Sequence, residues 1–219
     1  MKRTIIFCLA FAFVLGMVNK IIATNHENIT GRMQFQEVNI GLSGAAETKA
    51  DYFAGKNRRA VIFAPGAMFS KESWHFLAAR FQELGMGSVA LNSGSTSDLL
   101  NGIGFLREKG AEKIAIVGAS AGGAGVLYML RDAPGPEVDT VVLLAPAGGV
   151  PLQNDTIRKL FIVAEDDMIS SSAEVYKLYK SSSDPKLYKE LQGSDRAQRL
   201  FDSKQKENVI QLIIGFIQN

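Results

Sequence analysis

Residues 113–122, Lys-Ile-Ala-Ile-Val-Gly-Ala-Ser-Ala-Gly, decide the fold of this 219-residue chain, because they join a strand pattern to a helix pattern across one serine. The β-branched run 113–117 is typical of a buried parallel strand, and 123–130 has small residues followed by a helical apolar face. Between them lies Gly118-Ala119-Ser120-Ala121-Gly122, a G-x-S-x-G sequence. This context predicts a nucleophile elbow, in which the serine lies on a strained turn with its hydroxyl exposed.

The first 23 residues have the pattern of a secretory signal peptide. Met1 is followed by two basic residues, positions 4–18 carry no charge, and Ala23 offers a small residue for cleavage. The alternative is an uncleaved membrane anchor formed by residues 4–18, but this run is shorter than the ~20 residues that a span requires. We therefore predict export to the periplasm or the cell exterior, a flexible lead-in over 24–34 and a single domain over 35–219.

Composition excludes several classes of site and partner. The chain has a net charge of +2, but removing residues 1–23 leaves 21 basic and 22 acidic residues, a net charge of −1, so nucleic acid and anionic membranes are not favoured partners. Cys8 lies in the export segment, and His26 and His75 are the two histidines. Disulfides and Cys- or His-rich metal sites are therefore excluded. We expect no metal, no cofactor, no nucleic acid and no membrane contact beyond the export segment.

Strand and helix patterns alternate along the rest of the chain. Strands are predicted at 35–42, 52–53, 59–64, 87–92, 113–117, 138–145, 159–164 and 187–191. Helices are predicted at 70–84, at 98–109 with Asp98 as N-cap, from the elbow to 131, at 172–179 and at 203–218. This alternation predicts a doubly wound, mostly parallel α/β sheet with helices on both faces. The connection 146–155 is too short for a lid domain, which predicts an open site.

On these motifs the chain resembles the α/β-hydrolase superfamily, in the small lidless form of dienelactone hydrolases and esterases. The resemblance covers nearly the whole chain after the export segment and makes Ser120 the nucleophile. It also implies an oxyanion turn after the third core strand, where Pro65 replaces the usual His and Gly66 is kept. The backbone N–H groups of Ala67 (or Met68) and Ala121 would then bind the developing negative charge.

The resemblance places the acid of a catalytic triad at Asp167, after the strand 159–164, with Asp166 as the alternative. Either aspartate could instead only cap the helix that follows. The base histidine of the family lies before the last helix in a Gly-x-x-His-Ala setting. Here Gly193-Ser194-Asp195-Arg196-Ala197 puts Arg196 at that position, and no histidine follows residue 75.

Arginine at this position changes the predicted chemistry. Its guanidinium stays protonated and has no acceptor lone pair, so Arg196 cannot act as a general base. We expect it to form a bidentate salt bridge with Asp167. His75, at the start of the helix after the oxyanion turn, is the candidate for a substitute base, whereas His26 lies in the lead-in.

Two functions follow from these residues. The first is a serine hydrolase acting on a small carboxylic ester, lactone or thioester, which requires a substitute base. The second is a catalytically impaired hydrolase fold that binds a carboxylate or other anion at Ser120 and Arg196. A third class, a dinucleotide-binding Rossmann protein, is disfavoured because the G-x-G-x-x-G spacing is absent from the glycine-rich 118–125 stretch.

Overall fold

Eight strands form one sheet in the computed structural model, which describes residues 34–41, 47–133, 135 and 137–219. The strands are β1 (Gln36–Ile40), β2 (Thr48–Phe53), β3 (Arg59–Ala64), β4 (Gly87–Leu91), β5 (Lys113–Ala119), β6 (Thr140–Leu144), β7 (Arg158–Ala164) and β8 (Lys186–Leu191). Their spatial order is β1-β2-β4-β3-β5-β6-β7-β8. The pairs β1–β2 and β2–β4 are antiparallel and all others are parallel, which confirms the predicted mostly parallel sheet. The predicted signal peptide, the alternative anchor and all of the lead-in except residue 34 lie outside the described residues.

Helices cover both faces of this sheet. They are α1 (His75–Glu83), α2 (Thr96–Glu108), α3 (Ala121–Asp132), α4 (Ser172–Ser181) and α5 (Lys206–Gln218), with short 3-10 helices at Lys71–Trp74 and Ala197–Asp202. Ile62 and Phe63 are successive residues of β3, so their side chains point to opposite faces. The Phe63 ring stacks on Trp74 beside α1 at 5.3 Å between centroids, whereas a Cβ at Gly102 of α2 would lie 3.4 Å from Ile62 Cδ1. Helices α1 and α2 therefore lie on opposite sides of the sheet.

Two predicted helix starts were wrong. Helix α2 begins at Thr96 and its N-cap is Ser95, whose Oγ accepts the backbone N–H of Asp98 at 3.1 Å. The predicted cap Asp98 is thus the third residue of the helix. The predicted last helix starts late, at Lys206, because Ser203 Oγ donates to Leu200 O at 2.8 Å and accepts from the N–H of Gln205 at 2.9 Å, which forms a separate turn.

The carboxyl ends of the parallel strands carry the loops that contain the predicted site residues. Residues 145–157, all of which the structure describes, contain no helix or strand, so the β6–β7 connection stays a loop. Positive φ angles at Ala145 (42°), Gly148 (87°) and Gly149 (110°) turn this loop sharply away from β6. Among the described residues, no helix is long and apolar enough to cross a membrane.

Candidate functional site

Ser120 lies on a strained turn between β5 and α3. Its φ of 51° and ψ of −117° are rare for a residue with a Cβ. The turn is fixed on both sides, because Ser120 N–H donates to Leu144 O at 2.9 Å and Ser120 O accepts from Ala147 N–H at 3.0 Å. A Cβ at Gly122 would collide with the backbone oxygen of Ala64. Glycine is therefore required where the first turn of α3 crosses the end of β3.

Two backbone N–H groups are available beside the serine. Ala121 is the first residue of α3, and its N–H has no intrahelical acceptor. Ala67 lies in the turn after β3, and a Cβ at the preceding Gly66 would lie 3.1 Å from Ser120 Cβ, so this turn borders the serine. Neither N–H has a hydrogen-bond partner within the part of the chain that the structure describes. Both residues are exposed, as is the neighbouring Met68.

Arg196 connects three side chains at this site. Its Nε donates to Asp167 Oδ1 at 3.3 Å, its Nη1 to Ser120 Oγ at 2.9 Å and its Nη2 to Ser170 Oγ at 2.8 Å. The expected salt bridge with Asp167 is present, but the bidentate geometry was wrong. The guanidinium instead divides its donors among one carboxylate and two hydroxyls, because the Ser120 and Ser170 hydroxyls lie within hydrogen-bond distance of Nη1 and Nη2, and Asp167 Oδ2 receives no donor among the described residues.

Asp167 is held by its own loop. Its Oδ1 accepts the backbone N–H groups of Ile169 and Ser170, both at 2.9 Å. Its side chain has 0% exposure, and Oδ2 has no partner among the described residues. Asp166 is exposed, and its N–H donates to Gly193 O at 3.1 Å. The structure therefore brings Asp167, and not Asp166, to Arg196.

The polar groups that face Ser120 are donors. An arginine carries five N–H groups, of which three are used here, so two N–H groups remain on a side chain that is 19% exposed. Arginine cannot accept, so Ser120 Oγ is the acceptor in their bond and the serine hydrogen is free to donate. Together with the Ala67 and Ala121 N–H groups, these donors can bind an oxygen that carries negative charge. They cannot take a proton from the serine.

His75 is not brought to the serine. Its Nε2 lies 2.7 Å from Asp51 Oδ2, and its ring packs against Phe35 and Phe53 with centroids 4.5 and 5.4 Å apart. His75 therefore belongs to a separate cluster on the β1–β2 side of the sheet. The described residues contain no group of three or more His, Cys, Asp or Glu that could hold a metal ion.

That separate cluster is a charge network centred on the buried Asp51 and Lys71. Asp51 Oδ1 lies 2.6 Å from Lys71 Nζ, which also lies 2.7 Å from Glu37 Oε2. Burial would raise the pKa of Asp51, but the hydrogen bonds from His75 and Lys71 outweigh it and lower this pKa below its ordinary value. The hydrogen bond from Lys71 likewise lowers the pKa of Glu37. Both carboxyl groups are therefore stabilised in their charged form.

The sequence did not reveal the role of Gln198. Its side chain is buried, its Oε1 accepts the N–H of Gly66 at 2.7 Å, and its Nε2 donates to Ser73 Oγ at 2.5 Å. Ala197 has a φ of 49°, which turns the chain between Arg196 and Gln198. The same short segment thus holds the oxyanion turn as well as the serine. Apolar neighbours predict burial of this segment, but nothing in the sequence identifies its partners.

Comparison with known proteins identifies the fold. No family model matches the sequence, and a search of curated proteins found no match. A dienelactone hydrolase from Anabaena variabilis has a TM-score of 0.71 and 18% identity, over 85% of this chain and 98% of that one. An esterase from Exiguobacterium antarcticum has a TM-score of 0.66 and 9% identity, over 83% and 99%. A bromoperoxidase from Bacillus anthracis has a TM-score of 0.65 and 11% identity, over 84% and 100%. The chain has the α/β-hydrolase fold, as its motifs predicted.

Proposed function

We propose that this α/β-hydrolase-fold protein binds a small carboxylate, or another anion of similar shape, at Ser120 and Arg196. The observation that carries the proposal is the 2.9 Å hydrogen bond from Arg196 Nη1 to Ser120 Oγ. It puts a permanent cation at the position where the resemblance to hydrolases calls for a proton acceptor. The site then has the groups to hold negative charge but lacks the group that would start hydrolysis.

The missing step is activation of the serine. A serine hydroxyl attacks a carbonyl only when a neighbouring base takes its proton, and arginine stays charged up to about pH 12. Loss of a triad member lowers turnover by roughly 10⁴ to 10⁶. An ester carbonyl at this site would therefore be polarised by the N–H groups of Ala67 and Ala121 without being attacked by Ser120.

A carboxylate suits the same donors. Its two oxygens can take the two remaining Arg196 N–H groups and the Ser120 hydroxyl, with bonds to a charged donor being the stronger ones. The N–H of Ala121 adds a further donor at the start of α3, where a helix dipole favours negative charge. The carboxylate of Asp167 repels an anion, but this repulsion is offset because its Oδ1 accepts from Arg196 Nε at 3.3 Å and from the backbone N–H groups of Ile169 and Ser170.

A serine hydrolase for a small ester, lactone or thioester is the second candidate. The observation in its favour is the strained Ser120 backbone, with a φ of 51°, next to two unpaired N–H groups among the described residues. In that case the proton acceptor must enter with the substrate or the water, since His75 is bound to Asp51 at 2.7 Å.

Two variants separate these candidates. We expect the unchanged protein to hydrolyse p-nitrophenyl acetate no faster than Ser120→Ala does. Arg196→His should acquire turnover that Ser120→Ala removes, because Asp167 stays fixed by the N–H groups of Ile169 and Ser170. In calorimetric titrations, acetate or benzoate should bind the unchanged protein and lose affinity in Arg196→Met. Turnover by the unchanged protein that Ser120→Ala abolishes would contradict the binding proposal and support the hydrolase.

We also propose that residues 1–23 direct export, with residues 4–18 as a membrane anchor being the alternative. The apolar 4–18 run behind Lys2 and Arg3 supports this. N-terminal sequencing of the purified protein from its own cells tests it. A mature terminus near Thr24 is expected, and an intact Met1 in the membrane fraction would favour the anchor.

A further inference from the structure

A groove of about 550 Å³ lies between the loop 146–151 and helix α4. Its walls are largely apolar, with Pro146, Pro151, Ile169, Val175 and Leu178 among the residues that form them, and Glu174 and Lys177 are the charged residues of its lining. Val175 is buried in the core, whereas Ile169 is 69% exposed at the mouth of the groove. The volume lies within the range of about 300–1,000 Å³ that is typical of small-molecule sites.

This groove borders the anion site through two shared residues. Ser170 lines the groove and accepts from Arg196 Nη2 at 2.8 Å. Ala147 also lines it and donates its N–H to the backbone oxygen of Ser120 at 3.0 Å. The apolar part of a ligand that places an oxygen beside Arg196 therefore has the groove as its neighbour on the Ser170 side.

We propose that the ligand is an amphipathic monocarboxylate, with its carboxylate at Arg196 and an apolar chain or ring in this groove. The inference rests on the proposed function and adds the chemical class of the ligand to it. A cation at one end and apolar walls beyond it are complementary to a molecule with one charged head and one apolar body. An acid as small as acetate would use the charged end and leave the walls of the groove without contact.

The first experiment is a titration of the full-length protein with straight-chain acids, from acetate through butyrate and hexanoate to octanoate, by isothermal calorimetry. Each methylene buried against the groove should raise the affinity about fourfold, from ~0.8 kcal/mol per CH₂. The rise should stop at the chain length that fills the groove. Acetate binding without any increase towards octanoate would overturn the groove inference and leave the proposed function intact.

Two neighbouring substitutions provide a matched control. Ile169→Glu puts a carboxylate at the mouth of the groove, whereas Met168→Glu adds the same charge one residue earlier, on a side chain that is 95% exposed and does not line the groove. Ile169→Glu should lower octanoate affinity at least tenfold and acetate affinity much less, and Met168→Glu should change the two alike. Equal effects of the two substitutions on octanoate would overturn the inference.

Octanol separates the two ends of the site. It should bind more weakly than octanoate and be insensitive to Arg196→Met, while it remains sensitive to Ile169→Glu. Octanol binding with no binding of any carboxylate would refute both the amphipathic-carboxylate inference and the proposed anion site, and would leave a purely apolar groove.

Discussion

Substitution of Arg196 tests how much the Arg196–Asp167 pair contributes to the free energy of unfolding. In Arg196→Met, the carboxylate of Asp167 stays buried with 0% side-chain exposure and loses its cationic partner. Breaking a buried pair on one side costs about 3–5 kcal/mol. Because Asp167 Oδ1 keeps two backbone N–H bonds at 2.9 Å, we expect the lower end, about 3 kcal/mol.

A double-mutant cycle isolates the pair itself. Asp167→Asn alone should cost about 2–3 kcal/mol, since it removes the charge that pairs with Arg196 and puts an amide where the buried Oδ2 has no hydrogen-bond partner among the described residues. The loss of stability in the double variant should be about 2 kcal/mol smaller than the sum of the losses in the two single variants, because the second substitution no longer leaves an unpaired charge. The hydrogen bonds from Arg196 to Ser120 and Ser170 are lost in both backgrounds and cancel in the cycle.

Urea unfolding at pH 7, followed by far-UV circular dichroism, measures these free energies. Arg199→Met is the matched control, because Arg199 is exposed in the 3-10 helix that directly follows Arg196 and its loss should change the stability by no more than about 0.5 kcal/mol. Additivity of Arg196→Met and Asp167→Asn within about 0.5 kcal/mol would show that the two side chains do not act as a unit and would refute this reasoning.

Three further predictions concern the oxyanion turn, the Asp51 cluster and the glycines of two helices. Gln198→Met should destabilise the protein by about 1–3 kcal/mol and speed hydrogen exchange at the Gly66 amide, which loses its buried acceptor; unchanged exchange would contradict this. The pKa of Asp51 is lowered in the folded protein, so its charged carboxylate stabilises the fold above about pH 4, and this stabilisation is lost as pH falls through the lowered pKa. Asp51→Asn should therefore be less stable than the unchanged protein at pH 7 and should lose less stability on acidification. Urea unfolding at each pH measures both differences. Gly125→Ala should lower the melting temperature because its Cβ would overlap a backbone oxygen, whereas Gly215→Ala, with open space around it in α5, should raise or preserve it.

The central strands could be predicted because burial on both faces leaves a continuous apolar run. Strand β3 has the predicted bounds 59–64, and β7 begins one residue before the predicted 159–164. Strand β2, which lies between β1 and β4, was largely missed, because Thr48–Phe53 includes a lysine and an aspartate. Asp51 is buried there only because Lys71 and His75, which come from a later segment, supply its partners. Such a partner cannot be inferred from local hydrophobicity.

Two aspects of the candidate site could be predicted, namely the position of the serine turn and the set of residues that meet there. The G-x-S-x-G sequence indicates where Ser120 lies, and the order of motifs indicates that Arg196 and Asp167 approach it. The division of the guanidinium among Asp167, Ser120 and Ser170 could not be predicted. It depends on where the fold places the Ser120 and Ser170 hydroxyls around the guanidinium, and these hydroxyls come from two separate turns of the chain.

The chemistry at position 196 is separable from the construction of the site. Arg196 holds the serine and the acid, but the oxyanion turn is held by Gln198, whose Oε1 accepts the Gly66 N–H at 2.7 Å. The turn of Asp167 is held by its own backbone, and the Ser120 turn by Leu144 and Ala147. A change at Arg196 therefore alters which proton transfers are possible while the donors around Ser120 stay in place. For this reason we expect one substitution, Arg196→His, to be sufficient to convert an anion-binding site into an ester-hydrolysing one. If this variant is folded but gains no turnover that depends on Ser120, the site differs from that of a hydrolase by more than its base.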